Sequence, residues 1–154
     1  MSEPRLKYGQ LAPEGIAKMR ELEHYLNTGT NFEQSLLELI RLKASLINGC
    51  EYCINFHTAE LRKKNESAER ISQVAEWRSS EAYTKRERAA LAWTEAVTNI
   101  QDGHAPDAIY DEVRAHFSDV ETVNLTLAIT TINAWNRISI ALGTHSEHGT
   151  EVKA

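Results

Sequence analysis

The chain has 154 residues, of which 42% are hydrophobic and 25% charged, the balance of a globular protein with a core of its own. At this length one compact domain spanning 1–154 is expected, and folding buries roughly 70% of the unfolded surface, so neither disulfide staples nor a structural metal is needed. The 17 Lys and Arg against 22 Asp and Glu leave a formal charge of -5, which argues against a nucleic-acid binder held by phosphate contacts.

The three prolines and seven glycines fall between periodic segments, as helix boundaries do. Pro13 suits the first turn of a helix carrying Ile16, Met19, Leu22 and Leu26, which Asn27-Thr28-Gly29 ends. Asn31 can cap a second helix whose apolar positions Leu36, Leu39, Ile40, Leu42, Leu46 and Ile47 recur at three and four, until Asn48-Gly49. A third is expected from about Cys50 through Ile54, His57 and Leu61 to about Lys64. Ser67 can cap a short fourth helix holding Ile71, Val74 and Trp77. Thr84 and Glu87 form a capping box ahead of Ala90, Leu91, Trp93, Ala96, Val97 and Ile100. Pro106 opens another helix, with Ile109, Val113 and Phe117, and Ser118 with Glu121 opens the last, which ends near Gly143. Within that last segment Val123, Leu125, Leu127 and Ile129 alternate as in a strand. A lone strand would have no partner, and the helical face Ile132, Trp135, Ile138 and Leu142 follows without a breaker, so helix is the reading. The fold class is therefore all-α, one domain of about six to seven helices, with a polar tail expected to fray from about residue 144.

No apolar run approaches the ~20 residues of a membrane span, and Met1-Ser2-Glu3-Pro4-Arg5 has no apolar stretch behind it to act as a secretory signal. Cysteine is confined to Cys50 and Cys53, so a cytoplasmic setting with reactive or metal-binding thiols is expected.

The chemistry lies in Cys50-Glu51-Tyr52-Cys53 and His57. Positions three and four apart share a helix face, which puts Cys50, Cys53 and His57 on one stripe. A cysteine in a first helical turn sits beside unsatisfied amides that favour thiolate, and two cysteines three apart there can approach the ~5.5 Å Cα spacing of a disulfide. His57 can accept a thiol proton, and a carboxylate on that imidazole would fix its tautomer. Glu38 is the candidate, since the Asn48-Gly49 turn folds its helix back and its neighbours Leu37, Leu39 and Ile40 are apolar. Two other readings stand beside this one. The cysteines can be inert core residues, or Cys50, Cys53 and His57 can hold zinc, although a structural tetrahedron needs a fourth ligand and no other His shows ligand spacing. Haem attachment is excluded because Ile54, not His, follows Cys53, and a thioredoxin-like domain needs a βαβ alternation that this sequence lacks.

Glu38, the eleven residues to Gly49, then Cys50, Cys53 and His57 resemble the signature of the alkylhydroperoxidase D-like proteins of the carboxymuconolactone decarboxylase superfamily. Asn48-Gly49-Cys50-Glu51-Tyr52-Cys53, the segment Thr84 to Trp93, and Asn136-Arg137 are similar as well, so the resemblance covers about 31–142. It implies an all-α domain assembled into trimers or hexamers that reduces peroxides through two cysteines, and the cysteine pair favours the peroxidase branch over the decarboxylase branch. Tyr52 stands where well-known members carry a histidine next to the second cysteine. A phenol with a pKa near 10 cannot shuttle protons at neutral pH, but it can donate a hydrogen bond to a thiolate or a peroxide oxygen.

The expected activity is that of a thiol-dependent peroxidase with an antioxidant role. Glu38 polarises His57, His57 draws a thiol proton, and the thiolate attacks a hydroperoxide to leave a sulfenic acid that condenses to the Cys50–Cys53 disulfide. The resemblance favours Cys53 as the attacking and Cys50 as the resolving residue. No cofactor is expected beyond an external thiol or dithiol reductant, which with the hydroperoxide and further copies of the chain makes up the partners. The alternatives are a general protein disulfide oxidoreductase and a non-enzymatic zinc or thiol interaction module. A final helix apolar almost all round, with Trp77, Trp93 and Trp135 on several faces, points to a homo-oligomer, a trimer or a hexamer built from it, with the cysteine site near a subunit boundary.

Overall fold

Helices make up every regular element of residues 3–143, the part of the chain that the computed structural model describes. In order these are α1 (Tyr8–Leu11), α2 (Pro13–Thr28), α3 (Gln34–Asn48), α4 (Glu51–Lys63), α5 (Ala68–Ser72), a 3₁₀ segment (Val74–Ser79), α6 (Lys85–Thr98), α7 (Asp107–His116) and α8 (Asp119–Leu142). The expected all-α single domain is observed. It is divided more finely than the sequence suggests, because α1 is a short extra turn and the fourth helix breaks in two. The tail expected to fray from 144 lies outside the described residues.

The caps explain most boundaries. Thr84 and Ser118 each accept from the backbone N–H of the glutamate three residues on, and each glutamate returns the bond, closing both capping boxes. Pro106 directly precedes α7, and Ser67 caps α5 through Arg70 N. Asn31 does not cap α3, which begins at Gln34 after Glu33. Beyond Ser72 the backbone departs from α geometry at Glu76, and the 3₁₀ segment turns Trp77 into a core cluster with Leu61, Tyr83 and Leu91.

The centre of the domain is α3, in which every residue from Leu36 to Ser45 is buried. It packs on α4, α6 and α8, so even its charged side chains point into protein. The alternating stretch of α8 is helical: Leu125 and Ile129 reach the core and Val123 faces solvent. Its β-branched residues fit because Thr122, Thr126 and Thr131 return their hydroxyls to the carbonyls four residues back. Trp77, Trp93 and Trp135 are all buried within this chain, so they leave no uncovered faces. Exposed large apolar residues include instead Leu11, Ile100, Tyr110, Val120, Val123 and Ile140. Among the described residues no helix is long and apolar enough to cross a membrane.

A candidate redox site on the α3–α4 hairpin

Gly49 makes the reversal between α3 and α4, at φ 70°, a left-handed conformation that glycine adopts without steric cost. The chain leaves that turn as Cys50, the N-cap of α4, whose Sγ accepts from Cys53 N at 3.3 Å. Cys50 and Cys53 are joined as a disulfide with a Cα–Cα separation of 5.2 Å, inside the usual range for such a bridge. Cys50 thus stands at the cap rather than inside the first turn. Both sulfurs belong to buried residues.

One turn after Cys53, the His57 ring is buried and its Nδ1 lies 2.7 Å from Glu38 Oε2 of α3. The other oxygen of Glu38 accepts from Arg41 Nη1 at 2.7 Å, and Arg41 Nη2 lies 3.0 Å from Glu23 Oε1 of α2. Burial pushes the Glu38 carboxyl upward, but the His57 ring and the Arg41 guanidinium outweigh it and hold the group at about 2, against an ordinary 4.5. Burial likewise opposes the Arg41 charge, and Glu23 and Glu38 more than restore it. The structure thus brings Glu38, His57, Cys50 and Cys53 onto one helical hairpin.

A second set of polar contacts fixes the turn. Asn48 Nδ2 donates to Asn133 Oδ1 at 2.9 Å and Asn136 Oδ1 at 3.0 Å, while Asn136 Nδ2 donates to Ser45 Oγ at 3.0 Å. Asn133 reaches Thr98 Oγ1 in turn, so the end of α3 is clamped to α8 and through it to α6. Tyr52 is half-buried beside Phe56, ring centroids 6.2 Å apart, and burial raises its phenol above the ordinary value. A cleft of about 440 Å³ opens over Cys50, walled by Tyr52, Ser139, Ile140 and the N-terminal residues Glu3 and Arg5. Arg5 N donates to Leu142 O at 2.7 Å, which holds that wall against the end of α8. Among the described residues no group of three or more His, Cys, Asp and Glu is arranged to hold a metal ion.

Arg41, Glu23 and the asparagine clamp are residues of the site that the cysteine spacing does not point to. Arg41 carried a signal, since it lies three residues after Glu38 on the same helical face amid apolar neighbours. Glu23 carried none, because α2 reads as an ordinary amphipathic helix.

Residues 12–96 match the family model "Carboxymuconolactone decarboxylase family", and the chain belongs to that family. An uncharacterised protein of Bacillus subtilis, YdfG, is 39% identical over 139 residues, 90% of this chain and 94% of its own length. The crystal structure of a protein of unknown function from Agrobacterium tumefaciens, whose name proposes an antioxidant defence role as AhpD, superposes with a TM-score of 0.88 at 40% identity. That match covers 92% of this chain and 97% of the other. The debrominase Bmp8 shares the fold at a TM-score of 0.78 over 94% of this chain and 78% of its own, with 19% identity.

Proposed function

We propose that this member of the carboxymuconolactone decarboxylase family is a thiol-dependent peroxidase of the alkylhydroperoxidase D type. The reading is carried by one observation: a Cys50–Cys53 disulfide lies one helical turn from a buried His57 bound to Glu38. The likeness to the Agrobacterium protein supports it. The shared fold alone does not, since a debrominase has it too.

The Glu38 carboxylate accepts the Nδ1 hydrogen of His57, so proton exchange with the thiols runs through Nε2. In the reduced protein His57 takes the proton of Cys53 and the thiolate attacks the distal oxygen of a hydroperoxide. The O–O bond breaks, and the alcohol, or water from hydrogen peroxide, leaves with the proton held by the imidazolium. Cys53 becomes a sulfenic acid, the Cys50 thiol attacks its sulfur, and water departs as the disulfide closes. Two electrons from an external thiol or dithiol reopen it, entering at Cys50, the cysteine that lines the cleft. Tyr52 lines the same cleft. No bound cofactor takes part. The likeness to the alkylhydroperoxidase D type is the ground for assembly into a trimer, or a hexamer built from it, and exposed Val120 and Val123 on α8 offer it an apolar contact.

The test is the rate at which reduced protein forms its internal disulfide with hydrogen peroxide and with a bulky alkyl hydroperoxide, compared with its rate of passing a disulfide to a reduced protein substrate. Rapid, stoichiometric oxidation by peroxide is expected. Slow oxidation by both peroxides together with efficient transfer would establish a protein disulfide oxidoreductase instead, and zinc bound tightly to the purified reduced protein would establish an interaction module.

A further inference from the structure

Behind Glu38 stands a second ion pair that the peroxidase chemistry does not use. Glu23 from α2, Arg41 and Glu38 from α3, and His57 from α4 form one row, with contacts of 3.0, 2.7 and 2.7 Å. All four side chains are more than nine-tenths buried. With a neutral imidazole the row holds two carboxylates and one guanidinium, a net charge of -1 in a low-dielectric setting, and a proton on His57 brings it to zero. If Arg41 faced Glu38 alone, the guanidinium would cancel most of the charge that the imidazole feels.

We propose that Glu23 is a positioning residue for His57: by engaging Arg41 from the far side it leaves the charge of Glu38 to act on the imidazole and makes the ring a stronger proton acceptor. The assignment rests on the reading of His57 as the base. Other charged groups near the row come from several elements. Glu60 on α4 bears on Arg41 but pairs with Lys63 and Lys64. Lys43 on α3 pairs with Glu95, and Arg137 on α8 donates to Asn133. Arg20 stands one turn before Glu23 on α2. Among the described residues the carboxylates in ion-pair contact with Arg41 are Glu23 and Glu38.

The experiment is an NMR titration of the His57 ring in the oxidised protein, where no thiol titrates alongside it. In Glu23→Gln the midpoint is expected to fall by about half a pH unit or more, the size of effect a buried charge exerts at this remove. Glu23→Asp, which keeps the charge, should stay near wild type. The step is expected to shrink or vanish when Glu23→Gln is added to Arg41→Gln, because the effect of Glu23 passes through the guanidinium. Equal midpoints in wild type and Glu23→Gln, or an undiminished step in the Arg41→Gln background, would overturn the assignment, and loss of the folded state in every neutral variant would make Glu23 a structural anchor, with the same result. Peroxide consumption by the wild type is measured alongside. If the midpoint shifts as expected but no peroxide is consumed, the peroxidase reading falls and the role of Glu23 stands.

Discussion

His57 Nδ1 and Glu38 Oε2 meet at 2.7 Å across the contact between α3 and α4, with both residues buried. A carboxylate and an imidazole in that relation act as one group, since each sets the protonation of the other.

Their variants should therefore fail together. Glu38→Gln and His57→Gln are each expected to slow peroxide consumption by about 100-fold or more, in the range of a lost general base. The double variant should cost little beyond either single change, because residues acting as a unit are non-additive. Fully additive losses in steady-state kinetics would make Glu38 an ordinary buried acid.

The cysteines should differ in kind. Cys50→Ser is expected to react once with peroxide and stop with a sulfenic acid on Cys53, detectable by a sulfenate-trapping reagent and mass spectrometry. Cys53→Ser should not react at a comparable rate. The reverse pattern would exchange the attacking and resolving roles.

Acid should destabilise the fold through Glu38. Its carboxyl is held at about 2 in the folded protein against 4.5 ordinarily, so the unfolded chain takes up this proton first as pH falls. The stabilisation is complete above about pH 5 and drains away between there and about pH 2. Urea midpoints followed across that window should fall more steeply for the wild type than for Glu38→Gln, and parallel curves would remove Glu38 as the cause.

Gly49 is expected to be worth about 1 kcal/mol to the fold. Its φ is 70° and nothing lies within 4 Å of where a Cβ would stand, so Gly49→Ala adds backbone strain without a clash. Thermal unfolding should show a drop of a few degrees. No change in melting temperature would mean that the turn relaxes freely.

Assembly is checked by sedimentation at micromolar concentration. A species several times 17.4 kDa is expected, reduced towards the monomer by Val123→Glu on the exposed face of α8. A monomer in the wild type would leave that face a solvated surface.

Much of this fold was legible because its boundaries are local chemistry. Thr84 with Glu87, Ser118 with Glu121, and Gly49 each act through contacts within a few residues, so their spacing alone suffices. The Glu38–His57 contact was legible too, because a tight reversal at Gly49 lays α4 back along α3 and lets residues on the facing sides of the two helices meet. What escaped depends on distant packing. The break after Ser72 follows from the burial of Trp77, and the central place of α3 emerges only when α6 and α8 close over it. Glu23 joins the site through a helix packing that no periodicity in α2 announces.

The groups proposed for the chemistry, from Glu38 to His57, lie on two helices and the one turn between them. Such a hairpin is inherited whole. One recombination event moves it, and a copied gene carries a complete set of reactive groups from the start. Its reactivity can then drift residue by residue, while the surrounding helices keep α3 covered and hold the row and the turn in place through Glu23, Asn133 and Asn136.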